Sequence, residues 1–149
     1  MAHYLFNFSG GDRQKATARL RAKMWGVSPH ERYRDTLAPG DFALIYVPAP
    51  EAEFIGCAEL ATAVHEWTTS VAATYPGDSP SGVLLSHVEE WDPALPMETV
   101  VQRIDPTASN PLVQANAVVG FQIGVVRITA DEYESALALS RDARVRRSL

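Results

Sequence analysis

Two tryptophans are the residues whose chemistry is easiest to interpret in this sequence. Trp25 follows the basic segment RQKATARLRAKM, and Trp67 comes after the strand-like run EFIGCAELA. A tryptophan ring can stack on the flat face of a nucleobase, and such stacking contributes about 1–3 kcal/mol per base. Placed on loops beside a small β-structure, the two rings predict a base-stacking pocket.

The charged residues are distributed unevenly along the chain, although the formal net charge is only −5. Residues 1–34 hold seven of the 13 lysines and arginines against two acidic residues, whereas residues 35–102 hold eleven acidic residues and no basic one. The first segment is therefore either an ordinary solvated helix face or a local cationic surface that holds phosphates. The charge pattern leaves both interpretations open.

The other reactive residue types do not form a familiar catalytic or metal-binding pattern. The four histidines lack the spacing of metal-ligand motifs, and residues 35–102 contain no lysine for a nuclease site of the Asp…Glu-x-Lys type. The single cysteine, Cys57, has no partner for a disulfide and is expected to pack in the core. We therefore predict a binding module with no catalytic residue, no metal and no cofactor.

Hydrophobic periodicity and the positions of glycine and proline predict alternating strands and helices. The predicted strands cover 3–8, 41–47, 53–61, 83–91 and 117–128, of which the second and third form a hairpin. The predicted helices cover 12–24, 97–104 and 129–147, the last opened by a capping box of Thr129 and Glu132. Residues 65–82, rich in Thr, Ser, Pro and Gly, predict a long loop with at most one helical turn.

Length and composition predict one domain, because 149 residues with 46% hydrophobic content can form a sizeable core. Short strands, few helices and Gly/Pro-rich connections predict an α+β fold built on a small, strongly bent or closed β-barrel. No stretch approaches the roughly 20 continuous apolar residues of a membrane span, and the amino terminus lacks a signal-peptide pattern. We expect no membrane partner and a cytoplasmic location.

The order of several short motifs resembles that of a known family. The segments MWGV, PGDFALIYV, EFIGCAEL, YPG, VLLSHVEEW and GFQIGVVRITADEY follow one another as in an EVE domain, of the PUA-like superfamily that also contains YTH domains. The resemblance covers nearly the whole chain and lies in order and spacing. It implies a PUA-like, small twisted β-barrel flanked by helices, with a pocket that holds one modified nucleobase between aromatic walls.

The same resemblance assigns the walls of that pocket. Trp25 matches the first cage tryptophan of YTH domains, and Gly26 lies where the main chain approaches the edge of the base. Trp67 lies in the loop after the central hairpin, where YTH domains place their second cage wall. The resemblance thus implies a sandwich of two indole rings.

Polar and further aromatic contacts are also expected. Asn7 and Ser9, at the end of the first strand, match the region that contacts the base through polar groups, although many EVE domains carry a Lys-Ser-Glu-Pro-like run there. Tyr46 and Tyr75 are additional candidates for lining the pocket, with core packing as the alternative for each. We include all four in the predicted base-binding set.

These assignments predict a reader of modified cytosine, either 5-methylcytosine or 5-hydroxymethylcytosine, flipped out of DNA. Arg13, Lys15 and Arg19, near the start of the first helix, are expected to bind phosphates while the aromatic cage holds the base. EVE-like domains are often fused to a nuclease that they direct to modified DNA in restriction. We therefore expect a fused or partner nuclease, with residues 141–149 as a basic linker if the chain is part of a longer protein.

Three alternatives remain open at this stage. The first is a reader of modified bases in RNA, and the second is an amidohydrolase of modified nucleosides, as in the related ASCH domains. The second conflicts with the sequence, because the Gly-x-Lys-x-x-Glu-x-Arg signature of those enzymes is absent. The third is a protein-interaction module that uses the acidic stretch from Glu51 to Glu98.

Overall fold

The computed structural model describes residues 1–8, 12–104, 111–112 and 124–148, the last four by their backbone alone. The strands are β1 (His3–Asn7), β2 (Met24–Gly26), β3 (Phe42–Val47), β4 (Glu53–Leu60), β5 (His65–Glu66), β6 (Ser81–Pro96) and β7 (Val125–Ile128). The helices are α1 (Arg13–Ala22), α2 (Thr69–Ala72), α3 (Met97–Arg103) and α4 (Ala130–Ser148). Ser9 and most of the predicted strand 117–128 lie outside the described residues.

The strands form one mixed sheet in the order β2-β6-β4-β3-β1-β7, with β5 also paired to β6. β1 and β3 are parallel, and the other neighbouring strands are antiparallel. The 16-residue strand β6 changes register twice against β4, and such irregularities bend a strand. The sheet curls into a half-barrel, which confirms the predicted α+β fold built on a strongly bent sheet flanked by helices.

The predicted hairpin of β3 and β4 is confirmed, and the turn before it is firmly fixed. Gly40 has a φ of +89°, a conformation that glycine adopts without steric penalty. The next residue, Asp41, is buried and accepts hydrogen bonds from the backbone N–H groups of Ala2 at 2.9 Å and Ala38 at 3.0 Å. This aspartate ties the start of β3 to the amino terminus of the chain.

The first helix ends earlier than predicted, and an unpredicted strand follows it. Lys23 adopts the left-handed conformation, with φ of 59°, and its backbone N–H donates to the carbonyl of Leu20 at 3.0 Å. The chain therefore reverses at Lys23 and enters β2, which pairs with β6 through Trp25 and Val83. Trp25 lies in this strand and not on a loop, which corrects the sequence interpretation.

The predicted long loop over residues 65–82 contains a short strand, β5, and one helical turn, α2. Thr68 caps α2 by accepting a hydrogen bond from the backbone N–H of Val71 at 3.3 Å. The turn is followed by Tyr75, which is buried against the sheet. This segment therefore covers the outer side of β2 and β6.

The predicted capping box of the last helix is confirmed. Thr129 Oγ1 accepts from the backbone N–H of Glu132 at 3.0 Å, and Glu132 Oε1 accepts from the backbone N–H of Thr129 at 3.1 Å. Helix α4 continues to Ser148, so the basic segment predicted as a linker is helical over residues 141–148. In the described part of the chain, no helix is long and apolar enough to cross a bilayer.

Two large groups of buried side chains pack on the curled sheet. One contains Phe6, Phe8 and Trp25, and the other contains Trp91 and Cys57. Trp91 is fully buried, the predicted core position of Cys57 is confirmed, and burial raises the pKa of the Cys57 thiol to about 11. The first group is the one that forms the floor of the site described next.

Candidate nucleobase-binding site

A cavity of about 240 Å³ lies where the two ends of the sheet face each other, beside β2 and the start of β7. Pockets for drug-sized ligands usually measure about 300–1,000 Å³, so this one suits a single small ring system. Its lining combines aromatic, apolar, amide and charged side chains from residues Asn7, Phe8, Arg19, Trp25, Gly26, Val27, Ser28, Glu31, Gly124 and Val125.

Trp25 forms the aromatic floor of this cavity and is only 3% exposed. Its ring stacks on Phe6 with a centroid distance of 6.0 Å and meets the edge of Phe8 at 6.0 Å. Aromatic pairs at such distances hold each other in fixed orientations. The indole is therefore rigidly positioned before any ligand arrives.

Arg19 places a guanidinium group among these aromatic rings. Its central carbon lies 4.4 Å from the centroid of Phe8, 5.7 Å from that of Trp25 and 5.5 Å from that of Tyr75. All three distances fall within the range of cation–π interactions. Arg19 was predicted to bind phosphate, but the structure places its charged group beside the cavity, where it can also stack on a flat ligand.

Two further polar side chains line the cavity. Asn7 ends β1, is 5% exposed and lies next to Gly124, whose carbonyl accepts from the Asn7 backbone N–H at 2.8 Å. Glu31 is half-buried, and its Oε1 accepts from the backbone N–H of Arg32 at 3.1 Å. The cavity thus offers an amide, a carboxylate and a guanidinium to one ligand.

The segment that carries Val27 and Ser28 is fixed by a neighbouring arginine. Arg34 Nη1 donates to the carbonyl of Val27 at 3.1 Å and to Ser81 Oγ at 3.0 Å. The backbone N–H of Val27 also donates to the carbonyl of Ser81 at 2.9 Å. These bonds hold the wall that follows β2 against the start of β6.

Trp67 does not line this cavity. Gly26 and Gly82 pair across β2 and β6, and a Cβ added to Gly82 would lie 2.6 Å from Cζ2 of Trp67. Side chains alternate between the two faces of a strand, so Trp25 points to the opposite face from its neighbour Gly26. The strand pair separates the two indoles, and the predicted sandwich around one cavity does not form in this structure.

The remaining predicted base-binding residues are distributed over different places. Tyr75 packs beside Trp67 with a centroid distance of 5.3 Å, and its hydroxyl accepts from the backbone N–H of Gly26 at 2.9 Å. Tyr46 is buried in the other core group, 5.1 Å from the ring of Phe54. Neither tyrosine is among the residues that line the cavity, and both are buried.

Two of the three predicted phosphate-binding residues on α1, Arg13 and Lys15, are exposed. Arg13 pairs with Glu53 at 3.1 Å, and Lys15 lies on the surface near the start of the helix. Arg21, on the same helix, pairs with Glu90 at 2.9 Å. Exposed pairs of this kind are weak and can exchange for other anions, so phosphate binding by Arg13 and Lys15 stays a prediction.

Sequence reasoning missed Phe8 and Glu31 as cavity residues. Phe8 was assigned to the first strand, in which neighbouring side chains point to opposite faces, so Phe8 and Asn7 were not expected on the same side. The strand β1 ends at Asn7, and both side chains line the cavity. Glu31 was counted only as one of two acids in a basic segment. The sequence places Glu31 six residues after Trp25, in the segment that follows β2, and this proximity to Trp25 could have indicated that Glu31 lies near the site.

A second cavity, of about 380 Å³, lies on the other side of the sheet beside α4. It is larger, but its lining includes the three carboxylates of Glu59, Glu89 and Glu134. Glu59 pairs with His87 at 2.8 Å and Glu89 pairs with Arg144 at 2.8 Å. Three carboxylates outnumber the one arginine of this lining, Arg141, and the excess negative charge disfavours phosphate, so the smaller cavity is the better candidate for nucleic acid.

The buried position of Glu31 predicts a pH-dependent stability. Desolvation raises the pKa of this carboxyl above its ordinary value of 4.5, against the opposing effect of backbone N–H groups from Arg32, Val125 and Tyr33. The folded state then binds the proton more tightly than the unfolded state. The stabilising contribution is therefore present below the ordinary pKa and is lost as the pH rises through the raised value.

Glu31→Gln removes this titration and should gain stability relative to the wild type between about pH 4 and pH 7. Thermal unfolding of both proteins across that range measures the difference in Tm. Arg19 and Arg32, the nearby cations, stay charged throughout, so they do not contribute to the change. A constant difference in Tm would show that the Glu31 pKa is not raised by folding.

Solved structures with the same architecture were found at low sequence identity. The human THYN1 protein in complex with 5-methylcytosine containing DNA matches with a TM-score of 0.64 at 16% identity, over 94% of this chain and 98% of that one. The YTH domain of Zygosaccharomyces rouxii MRB1, in complex with N6-methyladenosine RNA, matches with a TM-score of 0.62 at 17% identity, over 93% and 83%.

A third similar structure is an ASCH protein from Zymomonas mobilis, with a TM-score of 0.53 at 12% identity, over 93% of this chain and 95% of that one. Neither a protein-family model nor a curated protein sequence matches this chain. Identities this low establish the fold and leave the ligand to be argued from the site. The chain therefore shares the fold of these proteins, in agreement with the fold that the order of its motifs predicted.

Proposed function

We propose that this protein is a non-catalytic reader that captures a single modified nucleobase in the cavity beside Trp25. The observation that carries this proposal is the lining of that cavity, which combines a rigid indole, a guanidinium and a carboxylate in a space suited to one ring system. Similar folds are found in proteins bound to 5-methylcytosine DNA and to N6-methyladenosine RNA, which supports the proposal.

Stacking and burial supply the energy for capture. Removing a base from a duplex takes a few kcal/mol, and stacking it on an aromatic ring returns about 1–3 kcal/mol. Arg19 adds a second flat surface, because guanidinium planes also stack on bases. Trp25 and Arg19, not two tryptophans, are therefore the stacking partners that we assign to the base.

The modification itself is discriminated by the fit of the cavity. One methyl group in an apolar site contributes about 1–3 kcal/mol, which corresponds to roughly 10-fold to 200-fold in affinity. Val27 and Val125 are the apolar side chains that can contact such a group. A hydroxymethyl group would gain more if a buried polar group such as Asn7 bonds to it.

We favour modified cytosine in DNA as the ligand, with modified RNA bases as the alternative. The protein would serve to direct a nuclease, fused to the chain or separate, to modified DNA. Helix α4 carries a basic end that would suit such a connection. The choice of modified cytosine is tested by a titration with differently modified duplexes.

An enzymatic role is the second candidate, because the fold is also similar to that of an ASCH protein. Glu31 is the cavity residue that could act as a general base, since its carboxylate is half-buried and faces the ligand space. Incubation with modified nucleosides, followed by mass spectrometry, tests this. Product formation that depends on Glu31 would replace the reader proposal.

The direct test is a fluorescence titration with duplexes that carry 5-methylcytosine, 5-hydroxymethylcytosine, N6-methyladenine or no modification. We expect tighter binding to one modified duplex than to its unmodified match, with quenching of tryptophan emission on stacking. Trp25→Phe should weaken that binding several-fold, because a smaller ring loses part of the stacking surface. Trp25→Phe keeps an aromatic core, so the protein stays folded.

Trp67→Phe is the matched control, since it changes a similarly buried tryptophan that does not line the cavity. The indole N–H of Trp67 donates no hydrogen bond to any of the described residues, so the substitution costs no hydrogen bond with them. We expect affinity within about twofold of the wild type. Equal losses in the two variants would favour the two-tryptophan cage, and equal binding of all duplexes by the wild type would refute the reader proposal.

A further inference from the structure

Glu31 is the carboxylate of the candidate site, and its position is set by the backbone. Oε1 accepts from the backbone N–H of Arg32 at 3.1 Å, and the backbone N–H groups of Tyr33 and Val125 lie close enough to lower the pKa of the carboxyl. Val125 begins β7, at the end of the sheet. The side chain thus bridges the segment after β2 and the strand on the other side of the cavity.

The carboxylate keeps acceptor capacity for a ligand. An ionised carboxylate has about four lone-pair positions, and three backbone donors occupy at most three of them. The absence of a side chain at Gly124 lets Oε2 of Glu31 approach the main chain there, because an added Cβ would lie 2.7 Å from that oxygen. Glu31 and Gly124 both line the cavity, so this carboxylate lies within reach of a ligand there.

The ligand must satisfy this acceptor. An ionised carboxylate donates no hydrogen bond, so a carbonyl oxygen placed against it is repelled, whereas an amino group bonds to it. Arg19, in the same cavity, is a donor without acceptor capacity and suits a ring nitrogen or carbonyl of the ligand. Glu31 and Arg19 together therefore fit the edge of a base on which an amino group lies next to a hydrogen-bond acceptor.

We propose that Glu31 reads the exocyclic amino group of the captured base, so that the cavity selects amino-bearing bases over their keto counterparts. The proposal rests on the proposed function and names the base class that this site takes. Cytosine and adenine both carry such an amino group beside a ring nitrogen. Burial favours the same contact, since a desolvated carboxylate gains more from each donor than a solvated one.

The test compares bases that differ at the amino group but keep the methyl group. 5-Methylcytosine and thymine share the 5-methyl group, and 2-methyladenine and 2-methylhypoxanthine share a 2-methyl group, so each pair compares an amino base with its keto counterpart. Each base is placed once in an otherwise identical single-stranded oligonucleotide, because single strands remove differences in base pairing. Competition fluorescence anisotropy then gives the affinity ratio within each pair.

The wild type should prefer the amino member of at least one pair by about tenfold or more. Which pair shows the preference distinguishes cytosine from adenine as the source of the amino group. Glu31→Gln should reduce the ratio to within about threefold, since its amide can turn a donor toward a keto group. The absolute affinity for the keto member should stay equal or rise, which a merely structural loss would not produce.

Gly124→Ala is a second variant that keeps the carboxylate but moves it. The added Cβ requires the end of the Glu31 side chain to shift, so the ratio should also fall in this variant. Circular dichroism and thermal unfolding confirm that both variants are folded. Trp67→Phe, outside the cavity, should keep the wild-type ratio.

Three outcomes would overturn the proposal. An unchanged ratio in folded Glu31→Gln, with the wild type still preferring modified over unmodified bases, would refute the role of Glu31 and leave the reader function intact. Equal binding of modified and unmodified oligonucleotides by the wild type would refute the reader function and this proposal together. A wild type that prefers the keto members would refute the proposed base class.

Discussion

Replacing Trp25 by alanine should lower the free energy of unfolding by about 3–5 kcal/mol, which is a large share of the roughly 5–15 kcal/mol that stabilises a typical domain. The indole is 3% exposed and packs on Phe6 and Phe8. Its removal leaves a cavity among side chains that cannot collapse freely, because β2 is held to β6 by backbone pairing.

Urea denaturation followed by far-ultraviolet circular dichroism measures this loss. Lys15→Ala, at an exposed position of α1, is the control and should change the unfolding free energy by less than about 0.5 kcal/mol. A loss below about 1 kcal/mol for Trp25→Ala would mean that the indole contributes little to the core. It would then have to be an open wall of the site, as the sequence alone suggested.

This prediction decides how binding is tested. A Trp25→Ala protein that fails to bind modified duplexes has lost either the stacking surface or the fold, and a binding titration does not separate the two. Trp25→Phe retains most of the packing and loses part of the stacking area. The conservative variant therefore carries the functional test, and the alanine variant measures the structural role.

The parts of the fold that the sequence predicted well depend on local chemistry. The turn at Gly40 and Asp41 requires residues that adopt unusual backbone angles or bond to neighbouring N–H groups. The cap at Thr129 and Glu132 is likewise a contact between residues three apart. Such signals need no knowledge of the distant chain, so sequence reasoning finds them.

The strand β2 was missed because its local signals point the other way. Helix-forming residues continue to Met24, and the left-handed residue that ends α1 is Lys23, where glycine or asparagine is the usual marker. Three residues are too few to show a strand period. Pairing with β6, more than 50 residues later, is what makes this segment a strand.

The positions of Trp67 and Glu31 depend on which face of the sheet each side chain reaches. The sequence places Trp67 after the hairpin, but only the pairing of Gly26 with Gly82 shows that the indole lies on the other face from Trp25. Glu31 enters the site because β7 closes against the segment after β2. Long-range register of this kind cannot be derived from one sequence.

Replacing Gly82 by alanine should destabilise the protein by about 1–3 kcal/mol or more, through a clash that the backbone cannot easily relieve. Gly82 lies in β6, with Gly26 of β2 on one side and His65 of β5 on the other. An added Cβ would overlap the carbonyl oxygen of Trp25 and approach Cζ2 and Cη2 of Trp67 at 2.6 and 2.8 Å.

The two overlaps are separated by a double-mutant cycle with Trp67→Phe. Phenylalanine lacks the outer ring atoms that approach Gly82, so the part of the cost due to the indole should disappear in that background. We expect most of the cost to remain, because the Trp25 carbonyl belongs to β2 and moves only with the strand. Complete rescue by Trp67→Phe would assign the clash to the indole instead.

The same substitution should weaken base binding, since β2 carries both Trp25 and Gly26 to the cavity. For the stability measurement, Gly124→Ala is the matched glycine control, because the nearest atoms to its added Cβ belong to the flexible end of Glu31. Denaturant titrations should therefore show a smaller loss for Gly124→Ala than for Gly82→Ala. A Gly82→Ala protein as stable as the wild type would mean that β2 does not lie this close to β6, and the wall of the site formed by Trp25 would then have to be placed differently.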